Sequence, residues 1–179
     1  WEKGKGKWDD LLTKSWNKGK FISSEENIDL QLSAYTYKMI KAKDYHQKLQ
    51  DEIEESGDIE FITDEIRKID PVTMKAKGLK KSYGATHFFD SRVDPSYLES
   101  KKHTTIFQHF KGWEVETEKP VFTPDSFTMM DYRIKYPDAT AFTYIIPFTE
   151  KKALVEYTFF SPFLTEDKVY DEMLQQYFK

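Results

Sequence analysis

Glu156 is the side chain of this sequence whose surroundings would change its chemistry most. Side chains alternate across a β-strand, so one face of the run Ala153 to Phe160 carries Leu154, Glu156, Thr158 and Phe160. Burial in that company disfavours the charged form of a carboxylate and raises its pKa. A carboxyl that keeps its proton near neutral pH is what a general acid requires, including one that protonates a carbon–carbon double bond. The alternative is a solvated sheet face, since Glu is seldom fully buried. A second constellation lies in the run Phe127 to Ile134, where alternation places Phe127, Met129, Asp131 and Arg133 on one face, with an acid and a base at i, i+2. They read either as groups that orient a site or as a structural ion pair, and an exposed pair contributes little. Phe122, Tyr144, Phe148, Tyr157, Phe159 and Phe160 either fill a core or line a site, and ring faces stabilise a cation by roughly 0.5 to 2 kcal/mol each.

Other chemistries lack their residues. His46, His87, His103 and His109 are not spaced as helical zinc ligands, so no metal is expected. There is no cysteine, no Gly-x-Ser-x-Gly elbow and no Gly-rich phosphate loop, which removes thiol chemistry and the usual hydrolase and nucleotide signals. With 27 Lys+Arg against 31 Asp+Glu, the formal charge of -4 gives no general attraction for nucleic acid. Aromatic residues make up 16% of the 179, too many for a disordered chain.

The elements that must position these groups follow from periodicity. Trp8, Leu11, Leu12 and Trp16 recur at spacings of three and four and predict a short N-terminal helix. Phe21-Ile22 and Ile28 to Leu32, on either side of Ser-Ser-Glu-Glu-Asn, predict a hairpin. Asp44 is placed to cap a helix bearing Tyr45, Leu49 and Ile53 on one face, and Ser56-Gly57 stops it. Short strands are expected at Ile59 to Ile62, Ile66 to Ile69, Val72 to Ala76 and, buried, at Gly84 to Phe89. Thr104 to Glu116, Phe127 to Ile134, Ala141 to Phe148 and Ala153 to Phe160 are rich in β-branched and aromatic residues and have hairpin-length links between the last three. They predict four antiparallel strands. Thr165, with Glu166 and Asp167 in the first turn, opens a final helix carrying Val169, Met173, Leu174 and Tyr177. The longest uncharged apolar-rich run, between Asp138 and Glu150, is shorter than the roughly 18 residues of a membrane-spanning helix. No leader precedes Trp1, and the chain reads as a stretch of a longer polypeptide.

From His103 onward the chain resembles the FAD-dependent lycopene cyclases, the flavoproteins that form carotenoid rings. The resemblance rests on five ordered blocks: Gln108 to Val115 (QHFKGWEV), Pro120 to Pro124 (PVFTP), Met129 to Arg133 (MMDYR), Tyr144 to Phe148 (YIIPF), and Leu154 to Thr158 (LVEYT) followed by Phe159-Phe160-Ser161. In the family the last block holds an acidic motif; Glu156 and Thr158 match its first acid and its Thr, whereas Tyr157 stands where plant members have a second acid. Upstream, Trp1-Glu2 resembles the end of a Trp-rich segment. Phe88 to Arg92 (FFDSR) resembles the strand that returns to the flavin. The family's Gly-rich dinucleotide fingerprint has no counterpart in these residues.

The resemblance implies an α+β fold like that of hydroxybenzoate-hydroxylase-type flavoproteins, an antiparallel sheet over the substrate beside a split α/β flavin domain. Residues 1–92 would then be a partial flavin-domain segment with the N-terminal helix and hairpin, and residues 93–179 the substrate domain with its C-terminal helix. It implies a carotenoid substrate, lycopene, whose linear ends become β-ionone rings by acid-initiated cyclisation without net redox. Glu156, Asp131 and Arg133 would be the catalytic residues, and Phe122, Tyr144, Phe148 and Phe160 would bind the polyene. FAD, reduced with NAD(P)H as reductant, is implied for the complete protein, with none expected on this chain alone. A cytoplasmic protein, peripheral at the inner face of the membrane, is implied as well. A related flavin oxidase or hydroxylase of an apolar molecule, or a non-catalytic apolar-ligand module, are the other readings; a solvent-facing Glu156 would favour the oxidase.

Overall fold

Strands from both ends of the chain meet in one sheet. The computed structural model describes residues 1–4, 6–93, 95–99 and 102–179. In chain order the elements are a 3-10 turn (Asp9–Leu11), β1 (Leu12–Trp16), β2 (Lys18–Ile22), β3 (Asn27–Gln31), β4 (Tyr37–Ile40), α1 (Ala42–Ser56), β5 (Ile66–Asp70), β6 (Lys75–Gly78), β7 (Ser82–Gly84), α2 (Pro95–Glu99), β8 (Phe107–Glu116), β9 (Ser126–Asp131), β10 (Thr140–Pro147), β11 (Lys152–Ser161) and α3 (Asp167–Tyr177). The fold is mixed α and β, mostly sheet with few helices.

Two compact units divide these elements: Trp1–Tyr45 with Thr104–Lys179, and His46–His103. In the first, six strands run in the order β3-β2-β9-β10-β11-β8. The pairs β9–β10 and β10–β11 are antiparallel, as the hairpin-length links predict, and β11–β8 is antiparallel too. β2 joins them by pairing parallel to β9, so residues 1–45 complete the sheet built by the C-terminal half. One face of that sheet packs Ile145, Val155, Tyr157 and Phe159 against Tyr170 and Leu174 of α3. The other face packs Phe127 and Ile146 against Trp16, Tyr37 and Met39 of the two-stranded β1–β4 ribbon. Trp16 is fixed there by an Nε1–H bond to Pro124 O of 2.9 Å and by T-shaped contact with Phe127 at 6.4 Å.

A register shift changes what β9 presents. Ile145 pairs with Thr128 and Thr143 with Asp131, so two steps on β10 match three on β9. The same extra residue shows in the pairing with β2, where Lys20 meets Thr128 and Phe21 meets Met130. This β-bulge inverts the alternation downstream of it. Phe127 and Asp131, expected on one face, therefore lie on opposite faces.

The second unit holds most of α1 and the antiparallel meander β5-β6-β7. The Asp64 carboxylate ties its loops together, accepting from Leu79 N and Lys80 N, each at 3.1 Å, and from Tyr83 Oη at 2.6 Å.

Several local expectations are corrected. Residues 12–16 form a strand rather than a helix, because Trp16 gains its burial by pairing with Tyr37 in the ribbon. Ile59 to Ile62 form no strand. Val72 sits in the turn before β6, held by Asp70 Oδ1 accepting from Val72 N and Thr73 N. Gly84 to Phe89 is not a buried strand: β7 ends at Gly84, and Phe89 is 98% exposed. α1 begins at Ala42, which places Asp44 in its first turn. α3 begins at Asp167, and its cap residue Glu166 makes no side-chain capping bond.

Candidate functional site

Glu156 lies in the middle of β11, paired with Tyr144 of β10 on one side and Gly112 of β8 on the other. It shares its face with Leu154, Thr158 and Phe160, as alternation requires, and this is the face that the β1–β4 ribbon partly covers. Tyr37, Lys38, Met39 and Ile40 of the ribbon, with Tyr144, Ile146, Leu154 and Glu156 of the sheet, line an open groove of about 330 Å³, and the Lys38 ammonium is ion-paired to Asp9.

The carboxyl in this groove is half-buried and has no hydrogen bond or ion pair among the described residues. Burial alone acts on it and pushes its pKa up. Its side chain lies across Gly112, where a methyl group would stand 2.7 Å from Glu156 Cγ. Beside it the Tyr144 hydroxyl shares a 2.7 Å hydrogen bond with the Tyr37 hydroxyl. Burial, and then that bond, raise the Tyr144 pKa, so this phenol stays neutral at physiological pH. Tyr37 stacks on Phe127 with ring centroids 4.4 Å apart, which holds the pair in place. The result is a carboxyl with a raised pKa and two hydroxyls in walls that are apolar except for Lys38.

Asp131 and Arg133 are not part of this groove. The bulge turns Asp131 to the α3 side, where it is fully buried and accepts from Arg133 Nε (2.9 Å), Arg133 Nη2 (2.5 Å), Arg133 N (3.1 Å) and Tyr177 Oη (2.8 Å). Burial pushes its pKa up, but the guanidinium and these donors outweigh burial and hold the carboxyl below the ordinary value. It is an ion-paired clamp between the end of β9 and the last turn of α3.

The four aromatic candidates also divide. Tyr144 lines the groove. Phe148 packs into the ribbon-side cluster and lines an adjoining hollow of about 430 Å³ that shares Met39 with the groove. Phe160 stacks on Phe142 at 6.1 Å, on the face of Glu156 and four residue pairs beyond it. Phe122 packs on the α3-side core, away from the groove. Sequence reasoning missed Tyr37, Met39 and Gly112. A lone glycine inside a strand pattern is a signal of close approach and could have found Gly112, whereas nothing local to Tyr37 announces its partner 107 positions away.

Among the described residues, no group of three or more His, Asp or Glu is placed to hold a metal, and no helix is long and apolar enough to cross a membrane.

The family profile described as Lycopene cyclase protein matches residues 1–179. A lycopene beta-cyclase from Paracoccus sp. (strain N81106 / MBIC 01143) is 30% identical over 93 residues, 51% of this chain and 24% of that relative. The matched stretch thus spans about a quarter of the length of this curated relative. No solved structure matches the chain. The profile match runs through both compact units, well beyond a shared sheet motif, and the chain belongs to the lycopene cyclase family.

Proposed function

We propose that the groove beside Glu156 is where the end of a carotenoid polyene, lycopene, is protonated and closed into a β-ionone ring by the complete protein. The observation that carries this reading is the carboxyl of Glu156, half-buried, with a pKa raised by burial and no ion pair of its own, the nearby Lys38 being paired to Asp9. An acid of this kind still bears its proton where an exposed Glu has lost it. The Glu156 carboxyl gives that proton to the terminal double bond, leaving a tertiary cation. The neighbouring double bond attacks the cation, closing the ring. The proton then lost from the ring carbon returns to the Glu156 carboxylate, so nothing is oxidised or reduced and the acid is regenerated. Tyr37 and Tyr144 face the developing charge with hydroxyl dipoles and ring faces, and Leu154, Ile146 and Met39 keep water from quenching it.

The family implies FAD, with NAD(P)H as reductant. The described residues do not fit that group: none of their strands leads through a glycine-rich turn into a helix N-terminus, the cradle a pyrophosphate uses. No step is therefore routed through flavin, and FAD, the hydroxybenzoate-hydroxylase-like architecture and peripheral membrane contact are proposals for the complete protein. A flavin oxidase is less well supported, because Glu156 faces the groove rather than open solvent. In the complete enzyme, Glu156→Gln keeps the side chain's shape and removes its proton, and cyclisation is expected to fall by about 10²-fold or more. The measurement is chromatography of carotenoids from lycopene-producing cells, with protein level checked. Normal conversion by this variant would remove Glu156 from the chemistry.

A further inference from the structure

We infer that Gly112 is a positioning residue, whose missing side chain makes the space on β8 in which Glu156 lies. The inference rests on the reading of Glu156 given above. Glycine inside a ten-residue strand weakens it, through lost chain entropy and the absence of a side chain to pack. The fold itself does not ask for glycine at this position. Gly112 is not among the glycines with positive φ, so its backbone is open to any L-residue. A methyl group built on it would meet Glu156 Cγ at 2.7 Å, Glu156 Oε1 at 3.2 Å and Leu154 Cδ1 at 3.3 Å. These nearest atoms are all side-chain atoms from one face of β11, two of them belonging to the carboxyl arm. What glycine protects is therefore the place of Glu156.

The consequence for chemistry is geometric. Tyr144 occupies the other flank of Glu156, already fixed by its bond to Tyr37, so a carboxyl displaced from Gly112 has one direction left, outward from the sheet toward the groove mouth. There it is more solvated, in a groove that Lys38 also lines, and it loses its proton at lower pH. It also leaves the position from which it reaches the double bond, and general-acid catalysis needs that reach before it needs the right pKa.

The experiment is a double-mutant cycle in the complete enzyme with Gly112→Ala, Glu156→Gln and the pair, assayed on lycopene over a pH series, with thermal midpoints recorded. Gly112→Ala is expected to fold with an unchanged or higher midpoint, because alanine restricts the unfolded chain. Its kcat is expected to fall about tenfold with KM within about twofold, and its loss of rate on the alkaline side is expected to move to lower pH. In the Glu156→Gln background the alanine should cost nothing further, since the group it displaces no longer donates a proton. Wild-type kcat in Gly112→Ala, or losses that multiply in the pair, would overturn the positioning role while Glu156 keeps its own. A normal rate in Glu156→Gln overturns both readings.

Discussion

Two carboxyls on adjacent parts of one sheet, Glu156 and Asp131, are pushed in opposite directions by their neighbours. Glu156 has burial and nothing to offset it, so its pKa rises. Its neutral form is the one the fold favours, a contribution present at low pH and lost as pH rises through the folded pKa. Asp131 is buried more deeply, yet Arg133 and Tyr177 bring its pKa down. Its contribution is present above the ordinary carboxylate value and is lost as pH falls through the folded pKa. Asp131→Asn is therefore expected to cost about 2 kcal/mol near neutral pH, as a buried carboxylate loses its charge-assisted bonds. That gap should close as the pH is taken below about 3.9. Urea unfolding at several pH values measures it, and a gap constant with pH would mean that Asp131 is not ionised in the fold. Because Asp131 faces α3, the same change should leave cyclisation per folded molecule far closer to normal than Glu156→Gln does.

At the scale of elements, the extra residue in β9 does most to decide which groups meet. Without it Asp131 would continue on the face of Phe127, in the ribbon-side cluster; with it the acid reaches Tyr177. The parallel β2–β9 pairing depends on another close approach. Gly19 pairs with Phe127, and a Cβ at 19 would stand 2.6 Å from Phe127 Cζ. The Phe127 ring is stacked on Tyr37 and set against Trp16, so it has no room to yield. Gly19→Val is expected to destabilise the protein by about 1–3 kcal/mol through overpacking. A denaturant midpoint equal to wild type would show that the ribbon can move aside. The contrast with Gly112 lies in the neighbour, a locked ring in one case and the arm of a flexible acid in the other.

At the scale of the molecule, residues 1–45 and 104–179 fold as one unit around a sheet, and His46–His103 form the other. Among the described residues, neither has a strand, glycine turn and helix in the order that grips a dinucleotide. The 179-residue chain, purified alone and mixed with FAD, is accordingly expected to leave gel filtration without flavin absorbance. A stoichiometric flavin band in the protein peak would overturn that expectation. In the complete enzyme the proton donor proposed above would still come from the sheet of this chain.

The four C-terminal strands and the last helix were legible in the sequence because their stability is local in pattern: alternating or continuous apolar runs, hairpin-length links and an acidic helix start. Glu156 was legible for the same reason, since alternation alone placed it with Leu154, Thr158 and Phe160. Residues 12–16 read as a helix because Trp and Leu at spacings of three and four satisfy that period, and only pairing with β4 makes extended backbone the better way to bury Trp16. The bulge in β9 has no period to announce it, yet it moves Asp131 and Arg133 away from the groove. Tyr37 and Gly112 become neighbours of the acid only when strands distant in sequence come together. Local periodicity determined which side chains share a face of a strand, and tertiary pairing decided which faces, and therefore which acid, line the groove.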